Sequence, residues 1–308
     1  MRVAIVEGSG TTVAARTASP IPLGASLMAL GAGVVWSFGA IVVRKADGAD
    51  AFQYLVWRSV GIIIVLEVAA RVRRRPPLTP AAFRSGPLML VTCACLLVAS
   101  ICFVYALKTT TPANAAFLAS ITPLVAVLLA RIVLREALTA VTIVAVAVAF
   151  VGLCITVAGD LEAGNLTGNV AALLSAVGIA GYTICVRADQ RRDWSPALPG
   201  YAVAMIVICA AITLANGRPL VPPLTDVTLA MFHGGVFIVV GTLLFNHASR
   251  QVPAVAMAVF AQTEMVFVPV WALFVLDDLP TTTSLIGGVI ITVAVLGKAL
   301  LDARRTVR

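Results

Sequence analysis

Charge is scarce in this chain. Only 12% of its 308 residues are Asp, Glu, Lys or Arg, about half the roughly 25% of soluble domains, and that excludes an ordinary water-facing surface. Histidine occurs twice, and no His cluster stands near the cysteines, which argues against a metal centre. The six cysteines, Cys93, Cys95, Cys102, Cys154, Cys185 and Cys209, all lie inside apolar blocks. They read as small packing residues, not disulfide partners. No GxxxxGK[ST] pattern is present, so the chain alone carries no signature for ATP-driven work. Nucleophile-elbow and HExxH motifs are missing too, which leaves no hydrolase signature and no expected cofactor.

What fills the space is apolar. Hydrophobic residues make up 60% of the sequence and the mean hydropathy is +1.03. A helix needs about 20 such residues to cross the hydrocarbon core, and ten blocks qualify: 23–43, 52–71, 86–107, 112–134, 139–158, 169–187, 197–214, 226–247, 252–275 and 284–301. Runs of this length do not fit the alternating ten-residue strands of a membrane β-barrel. The expected fold class is an all-α integral membrane protein of ten transmembrane helices. Residues 1–22 and the basic 302–308 become cytoplasmic tails. The first block is too long for a cleaved signal peptide and stays as a helix.

Lys and Arg orient the chain. With the N-terminus inside, 17 of the 22 basic residues fall on the inner side, led by the RVRRR run at 71–75. Only Arg44, Lys45, Arg58, Lys108 and Arg218 fall on or toward the outside. This positive-inside bias accounts for the net charge of +8 without any nucleic-acid partner. Ten helices then return the C-terminus to the cytoplasm.

The stretch 253–278, PAVAMAVFAQTEMVFVPVWALFVLDD, has a shadow 141 positions earlier in PANAAFLASITPLVAVLLARIVLREA. Pro112 aligns with Pro253, Thr122 with Thr263 and Glu136 with Asp277, without a gap. A weaker echo links the segment ending at Asp47 with that ending at Asp189. Duplication of a five-helix unit, 23–158 and 169–301, sends the second copy in from the opposite side. Inverted repeats of this kind recur in secondary transporters, whose substrate sites lie near the midplane between the repeats.

Candidate site residues follow from what the bilayer penalises. Glu264 stands near the middle of its block, where a carboxylate costs roughly 2.5–3.5 kcal/mol, so it is expected to face a cavity. Gln262, at the same depth, diverges from it by about 200° around the helix. Arg58 lies about 9 Å into the second block. It either snorkels to the outer headgroups or turns inward as an anion clamp or a partner for a carboxylate such as Glu264. In the fourth block, Asn114 sits near the outer end and Ser120 near the midplane. Pro123 interrupts the ladder there and frees a carbonyl for solute, or merely kinks a packed helix. Trp36, Tyr54 and Trp57 share a depth that Trp271 joins, and Tyr182 lies in the inner half. They either line the cavity or belong to packing and the interface. His233 is a buried packing histidine or a proton relay with Glu264.

The run YALKTTTPANAAFLASITPLVAVLLARIVLREALT, from Tyr105 onward, resembles the third-to-fifth-helix signature of the EamA family in the drug/metabolite transporter superfamily, with Pro123 and Glu136 in place. Arg58 in QYLVWRSV and Glu264 match the family's arginine in helix 2 and glutamate in helix 9. Met265 replaces the usual following proline, and Asp277 or Asp278 stands where the family has another acidic residue. The resemblance covers residues 25–301. It implies a metabolite or amino-acid carrier, often an exporter, in a bacterial inner membrane, working on a small-molecule substrate without enzymatic turnover. Solute, proton coupling and the choice between monomer and homodimer stay open. So do two rivals, a lipid or polyprenyl-phosphate flippase and a membrane-embedded enzyme for which Asp277-Asp278 is the only tight acidic pair.

Overall fold

A computed structural model describes residues 23–135, 139–161, 166–189, 191–249, 251–252, 257, 260, 262–277 and 280–306. The expectations placed on the 1–22 tail, Glu136, Pro253 and Asp278 lie outside these residues. The described chain is helical throughout. Its helices are α1 (Leu23–Lys45), α2 (Ala51–Val72), the short α3 (Leu78–Arg84), α4 (Pro87–Thr109), α5 (Pro112–Ala119), α6 (Thr122–Val133), α7 (Ala140–Leu161), α8 (Leu166–Ala188), α9 (Ala197–Ala215), α10 (Leu224–Phe232), α11 (Val239–Ala248), α12 (Thr263–Leu276) and α13 (Thr282–Thr306). A π-helical turn, His233–Ile238, joins α10 to α11.

Seven helices among the described residues are long and apolar enough to cross a membrane: α1, α4, α5 with α6, α7, α8, α9, and α10 through α11. The 22-residue α2 carries Arg58, Glu67 and Arg71. Shorter apolar helices cover Thr263–Leu276 and Thr282–Lys298. Helix α8 starts three residues before the expected 169 and α13 runs on to Thr306, because backbone hydrogen bonding continues past the point where the apolar pattern fades.

Local chemistry sets the ends. Asp50 caps α2 in a reciprocal capping box with Gln53, which satisfies two of the amides a helix start leaves open. Thr111 caps α5, with Pro112 as the first helical residue. The sequence pattern did not mark α3, since it is only seven residues long and lies in a proline-rich connection. Its anchor is Glu67, which accepts hydrogen bonds from the amide and hydroxyl of Thr79 at 2.8 and 2.6 Å. That fixes Glu67 against α3.

The expected break near Pro123 lies at Ser120-Ile121, between α5 and α6. A proline clashes with the carbonyl four residues back and cannot hydrogen-bond to it. That carbonyl belongs to Ala119, and the Thr122 hydroxyl donates to it at 2.7 Å, so it is not left for solute. The repeat-aligned Thr263 likewise begins α12. The residues before the two restarts, Ile121 and Gln262, have nearly the same backbone angles, φ/ψ of −67°/−11° and −69°/−12°.

Packing repeats this relation. Helix α4 lies on α8 as α1 lies on α11, and α2 crosses α9 while α7 crosses α13. Each contact maps onto another, or onto itself, when the halves are exchanged. Small residues permit the close crossings: a Cβ on Gly178 of α8 would stand 2.7 Å from the Ala99 amide of α4, and one on Gly152 of α7 would stand 2.7 Å from the Gly287 carbonyl of α13.

Candidate functional site

Glu264 sits in the first turn of α12, against α1. A Cβ on Gly33 would meet Thr263 Cβ at 2.8 Å and the Glu264 amide at 3.0 Å, so the glycine sets how closely α12 approaches. Four residues along α1, Ser37 accepts a hydrogen bond from the Trp271 indole at 2.8 Å. The two helices therefore run parallel, and Glu264 lies level with Gly33, near the middle of α1. Its carboxylate is half-buried, with no hydrogen bond or ion pair among the described residues. Gln262, directly before α12, is buried.

Trp271 stacks on Phe38 with ring centres 4.8 Å apart, and Phe38 touches Phe237 of the π turn at 5.9 Å. Phe237 in turn lies 6.3 Å from the His233 ring. An aromatic chain thus connects α12 through α1 to the π turn. His233 is buried with Nε2 against the backbone of Gly39, and a Cβ there would stand 2.5 Å away. Its Nδ1 shares a 2.7 Å hydrogen bond with the Tyr54 hydroxyl. Tyr54→Phe leaves Nδ1 buried without a partner, so thermal unfolding should register a loss of about 1–3 kcal/mol.

Arg58, one turn along α2 from Tyr54, is only 4% exposed. Of its two expected placements the inward one is found. Nη2 donates to the Ser100 hydroxyl of α4, the Arg58 carbonyl faces Gly234, and Nε has no hydrogen-bond partner among the described residues. No ion pair joins Arg58 to Glu264 among the described residues. Instead a buried carboxylate that hydropathy had not marked, Asp226, occupies the first turn of α10. Its Oδ1 accepts from the Thr225 hydroxyl at 3.3 Å, while Oδ2 has no partner among the described residues. Oδ2 lies beside the α1–α2 loop, 3.1 Å from where a Cβ on Gly48 would be.

The remaining candidates lie elsewhere. Trp36 packs on Phe245 of α11 at 5.4 Å, with its indole against Gly241. Trp57 donates to the Leu220 carbonyl at 2.9 Å, beside Gln53 on that of Pro219 at 2.6 Å. Trp36, Tyr54 and Trp57 thus have three separate destinations. Asn114 and Ser120 are buried around α5, and the Ser120 hydroxyl donates to the Phe117 carbonyl at 2.6 Å. Tyr182 is half-buried on α8. Two recesses open at the end of α4: a polar one of about 700 Å³, where α1 and α12 also end, lined by Arg44, Lys45, Asp47, Lys108 and Asp277, and one of about 530 Å³ beside the start of α2 and the end of α9, between Asp50, Tyr105, Lys108 and Arg218.

Sequence reasoning missed Asp226, Ser100 and the π turn. The signal for the turn was His233-Gly234-Gly235 in the middle of an apolar block; π turns concentrate at functional sites. Asp226 stands at the first position of its apolar block, 226–247.

A model of the EamA-like transporter family matches the chain twice, over residues 23–158 and 166–298. No curated protein matches the sequence. Among 14 matching solved chains is one titled only "Crystal structure of protein", 20% identical, with a TM-score of 0.64 over 91% of this chain and 98% of the other. That likeness concerns the fold.

Proposed function

Since the chain belongs to the EamA-like transporter family and is a multi-pass membrane protein, we propose that it is a secondary transporter or facilitator that moves a small organic metabolite by alternating access. The favoured solute is an amino acid or a related amphipathic compound, exported across a bacterial inner membrane. In this reading the two repeats each hold five spans, are inverted in the bilayer, and leave both termini in the cytoplasm. Repeats of that kind place the substrate site at their interface near the midplane. The placement of Glu264 carries the proposal. It is a half-buried carboxylate at mid-depth without a protein partner among the described residues, and the membrane tolerates such a group where it faces a cavity.

Glu264 would meet the solute or its coupling cation, with Gln262 beside it and Trp271 as an apolar wall farther along the same helix. Arg58 and His233 would act from the α2 side, and Trp36, Asn114, Ser120 and Tyr182 would shape the surroundings. Helices α6 and α12 begin at the repeat-matched Thr122 and Thr263, and helix ends near the midplane are where transporters of this kind hold solute.

Counterflow in proteoliposomes tests this. Vesicles are preloaded with a panel of amino acids and small metabolites, and labelled uptake is followed for wild type and Glu264→Gln. Saturable uptake by wild type, reduced on the order of 100-fold or more in the variant as expected for a residue in the working site, supports the reading. Folded wild type that carries no member of the panel sinks it. Uptake unchanged in Glu264→Gln removes Glu264 from the site.

A further inference from the structure

At the ends of α1 and α4, Arg44 of α1 reaches the last turn of α4, and Lys108 of α4 reaches the loop that follows α1. Arg44 Nη1 donates to the Leu107 carbonyl at 3.2 Å. Lys108 Nζ donates to the carbonyls of Ala46 and Ala49, the latter at 2.9 Å. Carbonyls at a helix C-terminus carry partial negative charge, which favours the Arg44 contact; the Lys108 contacts are to loop carbonyls. The Lys108 ammonium has more around it than a helix cap needs: it lies 5.7 Å from the centre of the Tyr54 ring, over its face.

We propose that the α1–α2 loop, Tyr54 and Asp226 form a binding site for a primary ammonium ion, which Lys108 fills from within the chain. Carbonyl oxygens take up N–H donors, of which an ammonium has three. An aromatic face attracts a cation electrostatically. The independent observation is Asp226: more than nine-tenths buried, its Oδ2 has no partner among the described residues and lies beside Gly48, between the two residues whose carbonyls bind the ammonium. Burial is the largest influence on the Lys108 ammonium and disfavours its charge, and Arg44 adds to that; the charges of Asp226, Asp47 and Asp50 work against both. A buried carboxylate held near, but not on, a tethered ammonium is the counter-charge of a site, and the carbonyls and ring complete it. Because the ion is covalently attached, closure of this loop needs no dissolved cation.

Truncating the lysine should empty the cradle and let a free ion in. Thermal unfolding is followed for wild type, Lys108→Ala and Lys108→Met in choline, sodium and methylammonium chloride at equal ionic strength. Lys108→Ala is expected to melt below wild type in choline and to regain at least half of the loss in methylammonium, saturating with concentration as binding to the folded state requires. Lys108→Met, whose side chain fills the entry, should stay low in every salt. Lys108→Ala combined with Asp226→Asn, which removes one charge of each sign, should fold and lose the methylammonium response. The proposal is overturned if Lys108→Ala melts like wild type, if both single variants respond alike to all salts, or if sodium restores as much as methylammonium. Should Lys108→Ala fail to fold in choline, it is purified in methylammonium; failure there while Lys108→Met folds also overturns it. The readout is stability, so the outcome does not depend on whether a solute is carried.

Discussion

Replacing Gly234 by alanine is expected to lower stability by about 3 kcal/mol, the upper end of ordinary overpacking in a core. The added Cβ lands on the Arg58 carbonyl, with Arg58 Cγ only 3.1 Å away. A flexible side chain can swing aside, but here the obstacle is backbone, so α2 and the π turn must separate as units. Gly61 makes the reciprocal contact from α2: a Cβ there would meet the Met231 backbone, with its Cα at 2.8 Å. Separation would pull His233 from Tyr54 and Arg58 from Ser100. Gly31→Ala in α1 is the control, because nothing lies within 4 Å of its Cβ position; helix propensity alone should make it neutral or stabilising by up to about 1 kcal/mol. Thermal unfolding in detergent compares the two. If Gly234→Ala melts within a degree or two of Gly31→Ala, the close approach of α2 to the π turn is wrong.

Those glycines show where sequence reading worked and where it stopped. Hydropathy alone located the apolar blocks, since a membrane span demands length and leaves few other readings. Thr122 and Thr263, paired by residue identity, both begin helices after the same backbone turn. The site was harder. Glu264 was marked because a mid-block carboxylate is costly wherever it points. Which way Arg58 turned was left open, since its depth permits both snorkelling and burial, and only the position of Ser100 on α4 decides. Asp226 escaped notice because depth was counted from the ends of the apolar run, where an acidic residue looks like a solvated cap. Its burial depends on the α1–α2 loop folding over it at Gly48, a contact about 180 residues distant in sequence that no local pattern encodes. The aromatic group failed for a related reason: Trp36, Tyr54 and Trp57 share a depth but face different helices, and depth does not specify azimuth.

Asp226→Asn should then be among the most damaging polar substitutions in the chain, costing roughly 3 kcal/mol, the lower end for removing one partner of a buried charge system. The lower end applies because no ion pair connects it to Arg58 or Lys108 among the described residues; the charges act across the space around Tyr54. Asparagine preserves the shape and can still accept from the Thr225 hydroxyl, so the change isolates the charge. What remains around Tyr54 is two buried or half-buried cations, Arg58 and Lys108, and a neutral amide. Arg58→Met in the same chain removes one of them and replaces the guanidinium with an apolar side chain that α2 can pack against α4. A double-mutant cycle on unfolding free energies should give a favourable coupling of more than about 1 kcal/mol, well outside the few tenths seen for independent sites. The double variant is expected to recover at least half of the loss caused by Asp226→Asn. Strict additivity would mean that the two charges do not sense each other, and the polar cluster around Tyr54 and His233 would then be several separate contacts that merely share a neighbourhood.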